Sequence, residues 1–208
     1  MNSNRFSVYL RPFYEDDYLI INKWRNSLEI QKNVVGPMRF VSPQIERKWV
    51  MDRIQDNVKS IYLAICLNDG SDRMVGYISI NDIDYLNRKA KMGGVVIGEK
   101  DCQDGVAALE SFYILMEYAF SQLNMNRLSG SCLSDHPFSP YLLLSMGFQK
   151  EGVSRKYVYK NGSYRDVEFY SILKSDYEDR LRDGKYNLPF LIKEIVGLKK
   201  NQKKNGQK

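Results

Sequence analysis

Metal-binding residues are scarce in this 208-residue sequence, and long apolar segments are missing from it. Its three cysteines, Cys66, Cys102 and Cys132, lie far apart, and its one histidine is His136, so the ligand spacing of a zinc site cannot be assembled. No apolar run is long enough to cross a bilayer, and no signal peptide begins the chain. These absences predict a cytoplasmic protein that has no metal centre and no membrane partner.

Acidic residues are absent from the last ten positions, which hold five of the 31 lysines and arginines. The formal net charge of +6 therefore comes mostly from this tail, and the rest of the chain is close to neutral. A near-neutral body argues against nucleic acid as a partner. We expect residues 199–208 to form a disordered basic tail that makes no contact with the functional site.

Linker-like stretches and internal repeats are also missing, which favours a single folded domain. We place this domain at residues 1–178. Residues 179–208 then form a C-terminal helical extension followed by the basic tail. A homodimer stays open as an alternative to a monomer.

Apolar periodicity and turn signals predict an α+β protein with two helices before the main sheet. In chain order, the predicted elements begin with a strand at 6–10, a helix that follows Asp16-Asp17 and runs through Trp24, and a helix at 43–57. Three antiparallel strands at 61–67, 74–83 and 89–97 come next, then a helix at 105–122, a strand at 127–133, a short helix from Ser139, a hairpin around Asn161-Gly162 and a helix from about Ser175. Gly93-Gly94 inside the third strand of the meander indicates a splay or a bulge.

The helix from Gly105 to Gln122 begins with unusually small residues, Gly105, Val106, Ala107 and Ala108. Such side chains leave the unpaired N–H groups of the first helical turn accessible. A helix N-terminus carries a partial positive charge, so phosphate is a natural ligand there. The same small residues also suit a helix that only packs closely against a sheet.

Four stretches resemble the GNAT superfamily of acetyl-coenzyme A-dependent N-acetyltransferases, in the branch of ribosomal-protein, polyamine and nucleotide-amino-sugar acetyltransferases. In chain order they are VGYISINDIDYLNRKAKMGGVVI, CQDGVAALESFYILMEYAFSQLNMNRL, SPYLLLSMGFQKEG and YVYKNGSYRDVEFYSIL. The resemblance implies a GNAT-like mixed, mostly antiparallel sheet flanked by helices, with a splayed cofactor cleft. It also implies acetyl-CoA as cosubstrate and direct attack by a primary amine in a ternary complex.

The resemblance also implies a set of cofactor-binding residues. The family's pyrophosphate loop, Gln/Arg-x-x-Gly-x-Gly/Ala, fits here in two registers, one starting at Gln103 and one using Gly105 and Ala107. In either register the binding groups are backbone amides. The residues assigned to the cofactor are Val95, Val96, Ile97, Gln103, Asp104, Gly105, Val106, Ala107, Ala108, His136 and Ser139.

Two positions that usually carry acid–base groups in such enzymes hold other residues here. Leu143 stands where a tyrosine is usual, and Lys91 stands where close relatives often have a glutamate. The catalytic candidates that remain are His136, Tyr141 and Asp84, with Asp82 and Glu99 as alternatives. The acids are also typical of solvated turns, and His136 is also typical of a loop beside a helix cap.

Arginines beside aromatic residues lead us to expect a phosphate-bearing acceptor. Arg25, Arg39 and Tyr159 are the predicted acceptor-binding residues, and a nucleotide-linked amino sugar is the predicted acceptor. Surface charge beside core aromatics explains the same pattern. A ribosomal-protein N-terminal or polyamine acetyltransferase and a catalytically silent acyl-CoA-binding module stay open as alternatives.

Overall fold

In the computed structural model of this chain, residues 6–205 are described, with side chains as far as residue 201. The strands are β1 (Val8–Pro12), β2 (Ile61–Leu67), β3 (Met74–Asp84), β4 (Lys89–Met92), β5 (Val96–Ile97), β6 (Arg127–Leu133), β7 (Gln149–Lys160) and β8 (Ser163–Leu173). The α-helices are α1 (Tyr18–Arg25), α2 (Leu28–Gln31), α3 (Pro43–Gln55), α4 (Val106–Ser121), α5 (Ser139–Ser145), α6 (Lys174–Arg182) and α7 (Leu188–Asn205).

All eight strands of the described residues join one sheet. Its order is β1-β2-β3-β4-β6-β8-β7, and β5 pairs with β3 beside β4. The β4–β6 pair is parallel, and the other pairs are antiparallel. The predicted mixed, mostly antiparallel sheet flanked by helices is confirmed.

Neighbouring residues of β2 show how the sheet buries both of its faces. Ile65 points into a core shared with α4, α5 and α7, whereas Ala64 and Cys66 point into a second core shared with α1 and α3. Side chains alternate along a strand, so an apolar strand such as β2 can serve two helical layers at once. The larger core also contains Leu115 and Met116 of α4, which are fully buried.

The strand predicted at 89–97 is interrupted, and this interruption opens the sheet. β4 ends at Met92, the Gly93 N–H donates to the Ser79 carbonyl at 2.7 Å, and the chain rejoins β3 only at β5. Meanwhile β6 follows β4 for three residue pairs and then continues beside β8 to Leu133. β5 and β6 therefore diverge, as the glycine pair and the family resemblance predicted.

The C-terminal region differs from the expectation of an irregular tail, because α7 continues to Asn205. Apolar residues at helical spacing anchor this helix: Leu191 and Ile195 are buried in the core that α4 and α5 form. Lysines are good helix formers, so the helix extends past its anchored part. Residues 206–208 of the predicted tail lie outside the described residues. No helix among residues 6–205 has the length and apolar character needed to cross a membrane.

Candidate active site

A cleft of about 810 Å³ lies between the diverging strands β5 and β6. The lining includes residues of β5, the first turn of α4, the end of β6 and the loop before α5. Residues 33–36, which follow α2, and residues of α7 also contribute to the lining. A volume of this size is typical of sites for small molecules and cofactors.

The first turn of α4 presents backbone donors to this cleft. Gly105 is the N-cap at φ +97°, a left-handed conformation that glycine adopts without strain. The side chain of Asp104 accepts a hydrogen bond from the Val106 N–H at 2.9 Å, so this donor is taken. The first helical bond to Gly105 comes from the Leu109 N–H, which leaves the N–H groups of Ala107 and Ala108 as the free donors of the turn.

Gly105, Val106 and Ala108 line the cleft, and Ala107 and Ala108 both belong to the core behind it. The glycine at a left-handed φ favours the register of the phosphate loop that uses Gly105 and Ala107. Gln103 braces the loop, because its side-chain amide donates to the Ile97 carbonyl at 3.0 Å.

One edge of β5 has no strand partner within the described residues and faces the cleft. The Gly98 N–H donates to the Val75 carbonyl at 2.8 Å, and Val96 pairs with Tyr77 of β3. Because successive residues of a strand direct their backbone groups to opposite edges, Val95 and Ile97 turn theirs toward the cleft. An extended ligand that carries amides can pair with this edge as an added strand.

His136 lines the cleft at the entrance to α5, but its ring is not arranged as a general base. Its Nδ1 accepts hydrogen bonds from the N–H groups of Phe138 and Ser139, at 3.1 and 2.9 Å. Burial lowers the pKa of His136 to about 4, so the ring is neutral at pH 7. Since Nδ1 is an acceptor, the proton lies on Nε2, and His136 is a hydrogen-bond donor there.

The other two catalytic candidates do not line the cleft. Asp84 is the last residue of β3, where it accepts hydrogen bonds from Asn87 in the turn that follows, and these bonds lower its pKa and make it a weak base. Tyr141 is half-buried on α5, with its ring centroid 5.4 Å from the Lys199 Nζ. Cys132 does line the cleft, but burial raises the pKa of its thiol to about 12, so it is not a thiolate nucleophile.

The predicted acceptor-binding residues also lie outside the lining of the cleft. The Arg25 guanidinium is paired with the fully buried Glu46 carboxylate at 2.8 Å and stacks 4.5 Å from the Trp49 ring centroid. Its charge is thus neutralised inside the protein. Arg39 is exposed, and Tyr159 is 61% exposed and packs against Tyr164 on the β7–β8 hairpin. The structure does not support these three residues as a phosphate-binding group.

Carboxylates of the cleft lining are already engaged. Glu29 forms an ion pair with Lys100 at 3.0 Å, and Asp104 caps the Val106 N–H. Lys91 also lines the cleft, at the position where the family resemblance led us to look for a glutamate. Among the described residues no carboxylate pairs with Lys91. The cleft lining thus holds two carboxylates, Glu29 and Asp104, and two lysines, Lys91 and Lys199, so it has no excess of negative charge for a cationic ligand.

Sequence reasoning missed the contribution of α7. Ile192, Val196 and Lys199 of this helix line the cleft, and Phe138 from the loop before α5 lies between Lys199 and Gly105. The spacing of the apolar residues in α7 was a readable signal for a buried helix. Its position beside the cleft depends on packing against α5, for which no local sequence signal exists.

Comparison with known proteins gives matches over most of the chain. The family described as the acetyltransferase (GNAT) domain matches residues 10–168. An uncharacterised N-acetyltransferase of Bacillus subtilis, YoaA, is 38% identical over 101 residues, 49% of this chain and 56% of that protein, so the chain spans just over half the length of this relative. The ribosomal-protein-serine acetyltransferase of Escherichia coli is 26% identical over 163 residues, 78% of this chain and 86% of that protein.

Solved structures show the same fold. The crystal structure of spermidine N-acetyltransferase from Vibrio cholerae in complex with CoA and spermine matches with a TM-score of 0.75 and 22% identity, covering 83% of this chain and 98% of that chain. The GNAT domain match covers well over half of the present chain. The protein therefore belongs to the GNAT acetyltransferase family.

Proposed function

We propose that this protein is an N-acetyltransferase that transfers the acetyl group of acetyl-CoA directly to an amine. The observation that carries this proposal is the alignment of two sets of backbone groups along one cleft. These are the free edge of β5 and the unpaired N–H groups at the start of α4. A molecule with amides at one end and phosphates at the other matches both sets.

The residues of the cleft fit acetyl-CoA in three respects. The backbone groups of Val95 and the Ile97 N–H offer hydrogen bonds to the pantetheine amides, while the Ile97 carbonyl already accepts from Gln103. The N–H groups of Ala107 and Ala108 offer donors to the pyrophosphate. The Cβ of any other residue at position 105 would lie 3.2 Å from the Phe138 ring, so glycine keeps the space between this ring and the start of α4 open for the ligand. When bound, acetyl-CoA supplies the activated acetyl group as a thioester.

Direct transfer to the amine is favoured because the cleft lacks an activated nucleophile of its own. The Cys132 thiol stays protonated at pH 7, and His136 is a neutral donor whose Nδ1 is occupied by backbone N–H groups. The chain's contribution is then positioning, together with N–H donors of β5 for the charge that develops on the carbonyl oxygen. Water must take the proton of the amine, which favours acceptors that are partly neutral at pH 7.

For the acceptor, we propose the α-amine of a polypeptide. An α-amine has a pKa of about 8, whereas an alkylamine such as that of lysine has one near 10.4, so the α-amine needs no strong base. A polyamine would need an excess of carboxylates, but the cleft lining balances Glu29 and Asp104 with Lys91 and Lys199. The E. coli relative's name also points to a protein acceptor. A nucleotide-linked amino sugar has no support, because Arg25 is paired with Glu46.

The test is a measurement of acetyl-CoA-dependent thiol release with the purified protein on a matched panel. The panel contains a peptide with a free α-amine, the same peptide with its N-terminus formylated, spermidine and a nucleotide-linked amino sugar. We expect release with the free peptide and none with the formylated one. Release with spermidine or the amino sugar alone would overturn the acceptor assignment. CoA binding without release on any amine would overturn the enzymatic proposal and favour a silent binding module.

A further inference from the structure

Helix α7 has two different apolar faces. Leu191 and Ile195 are buried in the main core, at 3% and 7% exposure. Ile192 and Val196 are 41% and 45% exposed, and they line the cleft together with Lys199. Positions 192, 196 and 199 follow the four- and three-residue spacing that places side chains on one helical face. Ile195 also borders the cleft, so α7 is anchored by its buried side while the adjoining side lines the cleft.

Lys199 is held at the mouth of the cleft by aromatic rings. Its Nζ lies 5.6 Å from the Phe138 ring centroid and 5.4 Å from the Tyr141 ring centroid, within the range of cation–π contacts. The Lys199 side chain is half-buried, and no carboxylate among residues 6–201 pairs with it. The ammonium group is therefore positioned without a counter-charge.

Phe138 links this lysine to the start of α4. A Cβ atom at Gly105 would lie 3.2 Å from the Phe138 ring, so the glycine N-cap and Lys199 flank the same side chain. The N-terminus of α4 carries a partial positive charge and free N–H groups. The nearby carboxylate of Asp104 is engaged with the Val106 N–H. Asp104 keeps its negative charge, but the helix N-terminus and the Lys199 ammonium are two positive groups on either side of Phe138, and an anionic ligand complements them.

We propose that α7 forms a wall of the cofactor site, where the Lys199 ammonium binds a phosphate of coenzyme A and Ile192 and Val196 cover its apolar parts. This inference rests on the proposed function. It adds a binding residue from a helix that follows the matched family region, which ends at residue 168. It also reverses the expectation that residues from 199 onward make no contact with the site, because α7 packs back along α5 and carries Lys199 to the cleft.

The experiment measures CoA binding by calorimetry for the wild type, Lys199→Ala and the matched control Lys200→Ala, which removes the same charge from an exposed neighbour. We expect Lys199→Ala to weaken CoA binding by about tenfold or more, the scale of a lost charge-assisted hydrogen bond. Lys200→Ala should bind CoA as the wild type does. Thermal unfolding of each variant checks that the fold is intact.

Two further ligands locate the contact. Pantetheine, which lacks the pyrophosphate and the whole nucleotide of CoA, should bind wild type and Lys199→Ala equally. If dephospho-CoA still shows the loss, Lys199 binds the pyrophosphate; if the loss disappears, Lys199 binds the 3′-phosphate, and both results support the proposal. Equal CoA affinity of Lys199→Ala and wild type, or an equal loss for pantetheine, would overturn it. Failure of the wild type to bind CoA at all would instead overturn the proposed function.

Discussion

His136 illustrates how burial decides the chemistry of a single residue. A histidine in a cleft suggests a base, because its ordinary pKa is close to neutrality. Here the ring accepts two backbone N–H bonds through Nδ1, and burial lowers its pKa to about 4. The residue thus holds the loop before α5, and its neutral ring carries its proton on Nε2.

This assignment predicts a pH-dependent stability. The pKa of His136 is lower in the folded protein than the value of about 6.5 for an unfolded chain, so the unfolded state binds more protons in between. Stability from the neutral ring is present above pH 6.5 and is lost as the pH falls toward 4. Between pH 7 and 4.5 we expect the wild type to lose about 2 kcal/mol more unfolding free energy than His136→Asn.

Urea unfolding at the two pH values measures this difference. Asparagine cannot titrate, yet its side-chain oxygen can accept the same backbone N–H groups, so His136→Asn is a matched control. His136→Ala lacks this acceptor and should be less stable than His136→Asn at pH 7. Equal losses of stability for wild type and His136→Asn on acidification would show that the folded-state pKa of His136 is not lowered.

Gly105 supplies a second prediction at this scale. A β-branched residue there would be strained at φ +97° and would press against Phe138. We expect Gly105→Val to cost about 1–2 kcal/mol of stability and to weaken CoA binding at least tenfold. Gly70→Val is the control, because Gly70 has φ +87° but open space around it in the β2–β3 turn. If both variants keep wild-type CoA affinity, the start of α4 is not the phosphate site.

At the scale of elements, the short strand β5 shapes the cleft. Its backbone approaches β3 so closely that a Cβ at Gly76 would overlap the Val96 carbonyl oxygen. A Cβ at Gly93 would similarly overlap the Ser79 hydroxyl. These two glycines allow the chain to leave the sheet after β4 and return at β5. β5 therefore diverges from β6 because its backbone packs closely against β3.

The corresponding prediction concerns Gly76→Ala. The added methyl group must push the β5 backbone away, so we expect a loss of about 1–3 kcal/mol of unfolding free energy and weaker CoA binding. Gly152→Ala in β7 serves as the control, because a Cβ there meets no atom within 4 Å. Denaturant titration and calorimetry provide the two measurements. If a folded Gly76→Ala variant bound CoA with wild-type affinity, β5 would not contribute to cofactor binding.

On the scale of the whole molecule, the C-terminal helices and the rest of the chain share one core. Tyr186 is buried against Tyr113 of α4 and donates from its hydroxyl to the Met146 carbonyl at 3.0 Å. Arg180 of α6 is paired with Glu194 of α7 at 2.7 Å and donates to the Ser145 carbonyl. These contacts tie α6 and α7 to α4 and α5, so the extension is part of the cooperative unit.

Leu191→Ala tests this integration. Leu191 is 3% exposed in the main core, and we expect its truncation to cost about 2–5 kcal/mol in one cooperative unfolding transition. Lys193→Ala, at an exposed position of the same helix, should change the unfolding free energy by less than about 0.5 kcal/mol. An unchanged midpoint for Leu191→Ala, or a separate early transition for α7, would contradict a shared core.

Much of the fold was predictable from the sequence, because short-range patterns of apolar and turn residues determine where helices and strands form. The strands at Ile61–Leu67 and Arg127–Leu133 and the start of α3 at Pro43 agree with the predictions, because apolar period and turn residues act over short range. The open start of α4, with its small residues and unpaired N–H groups, and the break at Gly93-Gly94 also agree with the sequence predictions. Small residues and glycines determine local backbone exposure and geometry wherever the helix or strand is placed.

Which side chains meet in the cleft was decided by long-range packing. Arg25 and Arg39 both stood beside aromatic residues in sequence, but the fold brings the buried Glu46 to Arg25 and leaves Arg39 exposed. From the sequence, Lys199 was predicted to belong to a solvated tail. In the structure, α7 packs against α5 and places Lys199 beside Phe138. Partners far apart along the chain have no local signature, and burial sets the charge state of residues such as His136, so these features appear only once the chain has folded.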